Sequence, residues 1–180
     1  MQYTIFAGII AIIFAGTFAT GLFAAPLAIG SATPPLSVTS GDNRTLTLNM
    51  IKDYTVLMFY ETKDTKEKNR PLKNALIEFL NAQPANIKAG IFSLPIVNCS
   101  AAAWPFIGIW KNSLTDNSQK EGVLIYGDWN GSMLATYKFK DNDSNFMVID
   151  PQGTIRYYNY GVIGPQEIGN IKNILVRIIS

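Results

Sequence analysis

The sequence predicts an α/β domain with a mixed central sheet, flanking helices and a C-terminal β-hairpin followed by a helix. Apolar runs alternate with segments of helical periodicity up to residue 126, which implies parallel pairing of the early strands. Residues 150–153 (Asp-Pro-Gln-Gly) have the preferences of a type I turn and separate two further apolar runs. A last apolar stripe between Ile168 and Ile178 has helical spacing.

The first strands and the first helix come early in this predicted domain. Residues 45–48 alternate between polar and apolar and predict a short edge strand, whereas the continuous apolar run at residues 56–60 predicts a strand buried on both faces. Asp64, followed three residues later by Glu67, resembles a capping box and predicts a helix start. Pro71 would then lie inside that helix and kink it.

The middle of the chain predicts a second strand–helix pair and a third strand. Residues 89–97 predict the strand, and Ser100 is a candidate N-cap for the helix that follows. Residues 115–121 are polar and predict a loop, and residues 123–126 predict the third strand. A short helix or an irregular segment is expected at residues 133–139.

The composition excludes several kinds of chemistry. The sequence contains no histidine, so it has no Ser-His or Cys-His couple, no histidine base and no His-ligated zinc or haem. Its single cysteine, Cys99, permits neither an internal disulfide nor a CxxC motif. The formal net charge of +2 comes from scattered residues and does not predict a nucleic-acid partner.

Residues 1–25 predict a signal peptide or an N-terminal membrane anchor, and both place the rest of the chain outside the cytoplasm. The segment is almost wholly apolar and ends in small residues suited to cleavage, but its start lacks Lys and Arg. It also approaches the roughly 20 residues that cross a bilayer. A core helix is the weaker alternative, because the segment is apolar on all faces. Residues 26–43, rich in Pro, Gly, Ser and Thr, predict a linker to a domain at residues 44–180.

The order of elements, with a proline in the first helix and a hairpin at residues 146–156, resembles the thioredoxin-like fold of the exported TlpA and peroxiredoxin branch. Over residues 43–180 the chain more closely resembles the YtfJ-like family, small periplasmic thioredoxin-fold proteins of unknown activity. The shared strings are Asp-Thr-Lys-Glu-Lys-Asn at 64–69, Ile-Val-Asn at 96–98, Lys-Asn-Ser-Leu at 111–114 and Asp-x-x-Gly at 150–153.

The resemblance implies a redox site from which both essential parts are missing. Thioredoxin-like enzymes place a nucleophilic cysteine where the strand meets the helix, because the helix N-terminus lowers the thiol pKa. In this sequence Asp64, Thr65, Lys66 and Glu67 occupy that position. Asp143 stands about where the family has a cis-proline. We therefore expect a thioredoxin-like domain without thiol–disulfide activity, in which the charged residues from Asp64 to Glu67 cap a helix rather than form a site.

Four further residues are candidates for function, each with a structural alternative. Trp104, Phe106 and Trp110 lie around one predicted helix and either dock a partner or pack against the sheet. Cys99 is either a redox-active or intermolecularly bonded thiol or, as we favour, a buried small apolar residue.

No metal site is predicted. Residues 141–145 begin like a calcium loop, but Phe146 stands where the loop needs glycine and Gln152 where it needs a bidentate glutamate. A polar turn is the simpler interpretation of this segment.

The sequence thus predicts an exported binding or assembly module without a cofactor, whose partner is a protein of the cell envelope. An uncleaved N-terminal segment would add contact with the membrane. Two alternatives stay open: an atypical enzyme that uses carboxylates between Glu61 and Glu67, and a redox-linked partner that acts through Cys99. The lack of histidine and of site cysteines weighs against an enzyme.

Overall fold

A computed structural model describes residues 27–179 and shows one mixed seven-stranded sheet with helices on its faces. The strand order is β2-β1-β5-β4-β3-β6-β7. The strands are β1 (Ser37–Ser40), β2 (Thr45–Thr47), β3 (Thr55–Glu61), β4 (Ile91–Asn98), β5 (Tyr126–Asp128), β6 (Asn145–Ile149) and β7 (Ile155–Tyr160). The helices are α1 (Arg70–Asn81), α2 (Ala85–Ala89), α3 (Ile107–Glu121), α4 (Ser132–Thr136) and α5 (Pro165–Ile179), and Leu48–Ile51 forms a 3₁₀ turn.

The central strands pair as the alternation of strands and helices predicts. β3 and β4 are parallel, as are β4 and β5, because a helix carries the chain back across the sheet between them. β6 pairs antiparallel with both β3 and β7. The predicted hairpin at residues 150–153 is confirmed, and β2 is an edge strand as expected.

The sheet separates two cores, since alternate residues of each strand point to opposite faces. On one face Leu57, Phe59 and Phe146 pack against α1 and α5. The predicted apolar stripe of α5 is buried there, with Ile171 and Leu175 fully enclosed. On the other face the sheet is covered by α4, the 3₁₀ turn and the chain before β1.

The predicted helix start at Asp64 is wrong, and so is the kink at Pro71. Residues 63–69 form successive turns, and α1 begins at Arg70. Pro71 is therefore the second residue of the helix, where its missing N–H has no partner to lose. The proline marks the start of α1 instead of bending it.

Three other boundaries differ from the sequence-based prediction. α3 continues through the polar residues 115–121 that were expected to loop out, because Ser118 and other polar side chains face solvent or bond the helix backbone. The expected linker at 26–43 contains β1, whose Val38 is buried and which pairs with both β2 and β5. The third strand begins at Tyr126, where the prediction had it end.

Residues 1–25, predicted as a signal peptide or an anchor, lie outside the described part of the chain. Within residues 27–179 no helix has the length and apolar character needed to cross a membrane.

Gly41 permits a close approach between the end of β1 and α3. A Cβ atom added there would overlap the backbone oxygen of Lys111 and press on the Thr115 side chain. We expect Gly41→Ala to lower the free energy of unfolding by about 1–3 kcal/mol, as overpacking does. Urea denaturation measures the change.

Gly169→Ala is the matched control for this substitution. Gly169 lies in α5 with open space around its missing Cβ. Alanine there should leave stability unchanged or raise it by about 0.5–1 kcal/mol. Equal stability of Gly41→Ala and the wild type would contradict the packing of α3 on β1.

Candidate functional site

The resemblance to thioredoxin-like enzymes puts the expected degenerate redox site within the strand–helix junction, residues 61–69. Asp64, Lys66 and Glu67 are exposed in the turns that precede α1. Thr65 is buried, and its Oγ1 accepts a hydrogen bond from the backbone N of Thr62 at 2.8 Å. Lys66 and Glu67 border a cleft beside α1, whereas Asp64 does not.

Thr65 and Asp143, the two predicted halves of the degenerate site, lie together. The Thr65 hydroxyl donates to the backbone oxygen of Asp143 at 3.3 Å. The Asp143 carboxylate pairs with Lys68 at 2.7 Å. Glu67 pairs instead with Arg70 across one helical turn, and the hydrogen bond from that guanidinium lowers the pKa of Glu67. These are surface ion pairs, which contribute little to stability.

Glu61 is the buried charge of the junction. It ends β3 with 5% of its surface exposed, and each carboxylate oxygen has its own partner. Lys73 Nζ donates to Oε2 at 2.7 Å and also to the backbone oxygen of Lys66 at 2.8 Å. Ser144 Oγ donates to Oε1 at 2.7 Å. Lys73 also lies over the ring of Phe59, 5.1 Å from its centroid.

Asn69 extends this network to the C-terminal part of the chain. Its side chain is fully buried, and its Nδ2 donates to Ser144 Oγ at 2.9 Å and to the backbone oxygen of Gly161 at 2.8 Å. Its Oδ1 accepts from the backbone N of Ile163 at 2.9 Å. We call Glu61, Asn69, Lys73 and Ser144 the junction network. It joins β3, α1, the residue before β6 and the segment after β7 through hydrogen bonds and the Lys73–Glu61 ion pair.

The burial of Glu61 raises the pKa of its carboxyl above the ordinary 4.5, against the opposing influence of Lys73. The folded protein therefore holds this proton more tightly than the unfolded chain does. It follows that the contribution of Glu61 to stability is lost as pH rises from 4.5 through the raised folded-state pKa.

We expect a comparison of the wild type with the Glu61→Gln variant to show this loss of stability. The free energy of unfolding of the wild type, minus that of the variant, should fall as pH rises from 4.5, because the variant has no proton to release at this position. Urea titrations across that pH range measure the difference. Glu78→Gln, which removes an exposed carboxyl of α1, is the matched control for the loss of one carboxyl. A difference for Glu61→Gln that rises with pH would contradict the raised pKa.

Cys99 lies after β4 and is buried, with 1% of its surface exposed. Burial, reinforced by the nearby charge of Asp128, raises the pKa of its thiol to about 12. Only the thiolate attacks disulfides and electrophiles. The geometry therefore matches the structural interpretation of Cys99, as a small residue of the core.

In the native protein, Cys99 should not react with iodoacetamide at pH 8, because the thiol is both buried and protonated. The same reagent should modify it fully once urea unfolds the chain. Mass spectrometry of the intact chain measures the added group. Rapid alkylation of the folded protein would instead support a redox role for Cys99.

An open cleft, the α1–α3 cleft, lies between α1 and α3 beside the junction. Its volume is about 570 Å³, within the range of about 300–1,000 Å³ found for small-molecule sites. β4 forms its floor, and Ser93 of β4 is exposed; β3 pairs with β4 at Ser93, whereas β5 pairs with β4 from Ile96 to Asn98. The walls are mostly apolar and include Phe59, Ile77, Leu80, Ile109 and Leu114.

The turn before α3 and the first turn of α3 expose a group of large apolar side chains to solvent. Trp104 is 88% exposed, Phe106 60% and Ile109 66%. We call these three residues the α3 surface. Trp110, the third residue of the sequence-based proposal, is half-buried and lines the α1–α3 cleft. The two features are therefore adjacent.

Sequence reasoning missed most of the junction network. Lys73, Asn69 and Ser144 are ordinary polar residues without a motif, and only the fold brings them to Glu61. One signal was available: Pro71 is typical of a helix start, so Asn69 could have been placed just before α1.

No group of three or more His, Cys, Asp and Glu side chains among residues 27–179 is arranged to hold a metal ion. Residues 141–143, the start of the calcium-loop-like string, form a bend or turn before β6. Asn145 uses its side chain to bond the backbone of Lys140 instead.

Solved structures with a thioredoxin fold resemble this chain over most of its length. A thiol peroxidase from Chromobacterium violaceum has a TM-score of 0.60 at 11% identity, covering 86% of this chain and 89% of its own. The thioredoxin domain of a thiol-disulfide oxidoreductase from Bacteroides vulgatus has a TM-score of 0.56 at 14% identity, covering 83% and 99%. An exposed lipoprotein thioredoxin from Streptococcus pneumoniae has a TM-score of 0.54 at 14% identity, covering 78% and 98%.

Comparison by sequence gives no match. No protein-family model matches the chain, and no curated protein does. The structural likeness at this low identity establishes the fold alone. The chain has the predicted thioredoxin-like fold, and its structural neighbours include thiol–disulfide oxidoreductases.

Proposed function

We propose that this protein is a thioredoxin-fold binding module without thiol–disulfide exchange activity, and that it binds a protein partner in the cell envelope through the α3 surface. The observation that carries the proposal is the 88% exposure of Trp104 beside Phe106 and Ile109. Clustered exposed aromatic side chains are typical of protein–protein contacts and are seldom left in water otherwise.

The chemistry of the junction supports a role without redox activity. Exchange needs an accessible thiolate, and the sequence has no cysteine between residues 61 and 69. The turns at residues 63–69 also move the helix start away from Asp64, so a group there lacks the helix N-terminus that lowers thiol pKa values in the enzymes. The junction network uses its polar groups to join parts of the fold.

Location in the envelope rests on the apolar N-terminal segment and on the YtfJ-like resemblance. A signal peptide at residues 1–25 would release the domain into the periplasm, and an anchor would hold it at the outer face of the membrane. One structural neighbour is itself an exposed lipoprotein. The proposed partner is accordingly an envelope protein with an apolar surface that accommodates Trp104.

A second candidate function is an enzyme that uses Glu61 as an acid or base. A buried carboxyl with a raised pKa beside a cleft is a known mark of active sites. We favour binding, because both carboxylate oxygens of Glu61 already have partners within the protein. An enzyme of this kind would lose its turnover in Glu61→Gln and keep it in Trp104→Ala.

A photoreactive benzoylphenylalanine at position 104 tests the binding role in the full chain. We expect one discrete covalent adduct with an envelope protein after illumination of intact cells. In the wild-type background, Trp104→Ala should weaken binding of that same purified partner by about thirtyfold, because a buried aromatic anchor contributes about 2 kcal/mol. Equilibrium binding measures the ratio.

Val162 provides the matched control, since it is 74% exposed but lies after β7, outside the α3 surface. The photoreactive group at position 162 should give no such adduct, and Val162→Ala should bind the partner normally. Adducts of the same mass from both positions, or none from position 104, would contradict the proposal. The purified chain should also fail to accelerate insulin reduction by dithiothreitol.

A further inference from the structure

The α1–α3 cleft exposes one side of a central strand. Leu94 and Ile96 of β4 are buried on the opposite face of the sheet, whereas Ser93 is exposed and Pro95 and Val97 are half-buried. Central strands with parallel neighbours are normally covered by helices on both faces. Here α1 and α3 border β4 without covering it, so the cleft is open along an apolar floor.

Two lysines at one end of this cleft form no ion pair within residues 27–179. Arg70 and Lys73 also line that end, but they are paired with Glu67 and Glu61. Lys63 and Lys66, which are exposed and line the same end, form no side-chain hydrogen bond or ion pair with any residue of the described chain.

The cleft therefore has an apolar body and a mouth with a net positive charge, since its lining holds four cations and three anions, Glu61, Glu67 and Glu121. Its walls are contributed by Phe59, Ile77 and Ile109, and its volume suits a small molecule better than a protein side chain alone. A ligand that complements both parts has an apolar chain and one anionic end. The charge of the mouth would favour an anion over a cation of the same chain length.

We propose that the α1–α3 cleft binds a free, single-chain amphiphile with a carboxylate head group, such as a fatty acid. The chain would lie over Ser93 and Pro95 of β4, and the carboxylate would lie between Lys63 and Lys66. The cleft shares Ile109 with the α3 surface, but this inference does not require the protein partner proposed above.

The N-terminal segment of the same chain is a less suitable occupant. The described chain begins at Leu27, whose side chain packs against the core on the face of the sheet opposite the cleft. The backbone N–H of Gly30 donates a hydrogen bond to the backbone oxygen of Ile155 in the edge strand β7. The cleft, in contrast, lies over β4. The described chain therefore begins on the face opposite the cleft and beside the edge strand β7.

Calorimetric titration of the full chain with dodecanoate, below its micelle concentration, tests this inference. We expect one saturable site per chain, and weaker binding of dodecyltrimethylammonium, which has the same chain and the opposite charge. Ser93→Trp places a large side chain on the cleft floor and should reduce the affinity for dodecanoate at least tenfold. Ile77→Asp, which puts a charge on an exposed wall, should do the same if Ser93→Trp fails to fold.

Lys63→Glu combined with Lys66→Glu should reduce dodecanoate affinity by about tenfold or more, because two attractive charges become repulsive. Lys52→Glu combined with Lys88→Glu makes the same change in net charge at exposed positions outside the cleft and should leave affinity unchanged. Absence of dodecanoate binding, or equal affinity in all variants, would overturn the inference. Partner binding through Trp104 would be unaffected by that result, so the two proposals fail separately.

Discussion

The junction network is the constraint on which the arrangement of the domain depends. A carboxylate buried at the end of β3 is costly unless every oxygen has a partner, and removing one partner of a buried pair typically costs about 3–5 kcal/mol. Lys73 and Ser144 supply those partners from α1 and from the residue before β6, and Asn69 connects Ser144 to the segment that leads into α5. Every buried side-chain nitrogen and oxygen of the described chain has a hydrogen-bond partner. The position of α1 is thus fixed by polar contacts at its start and by Leu72 and Leu76 along its length.

This constraint also explains why the junction differs from that of a thiol enzyme. A nucleophilic cysteine needs to be half exposed at a helix N-terminus, where the partial positive charge stabilises a thiolate. Here the chain makes turns from residue 63 to 69 before α1 begins, and Asn69, at the N-cap position, makes no capping hydrogen bond to the helix. Its side chain bonds distant parts of the fold instead. The same scaffold therefore holds structural polar contacts at the place where other proteins of this fold carry chemistry.

The sequence predicted those elements that are determined locally. The turn at residues 150–153 and the stripe of α5 depend on neighbouring residues, and both are confirmed. The errors at Asp64 and at residues 115–121 arose where a local preference competed with tertiary contacts, since Asn69 is buried by the fold and α3 is held by β1 and by Ile125, just before β5. Of the candidate site, sequence reasoning reached Trp104 and Phe106 through their size and apolar character. It could not reach Lys73, Ser144 or the cleft, because these depend on distances between elements far apart in the chain.

The cleft follows from the way α3 is attached. Gly41 lets the end of β1 come against the backbone of α3, Lys111 Nζ donates to Asn43 at 2.6 Å, and Ser118 Oγ accepts from the backbone N of Ile125 at 3.0 Å. These contacts hold α3 over β1 and the chain entering β5. On the cleft face, α3 therefore lies toward the β2 edge of the sheet, away from α1. Leu114 is the one fully buried residue of α3, so the helix contributes little to the core. With α1 fixed by the junction network on one side and α3 fixed by β1 on the other, the floor of β4 between them stays open. β1, which lies in the predicted linker at residues 26–43, therefore holds α3 away from α1.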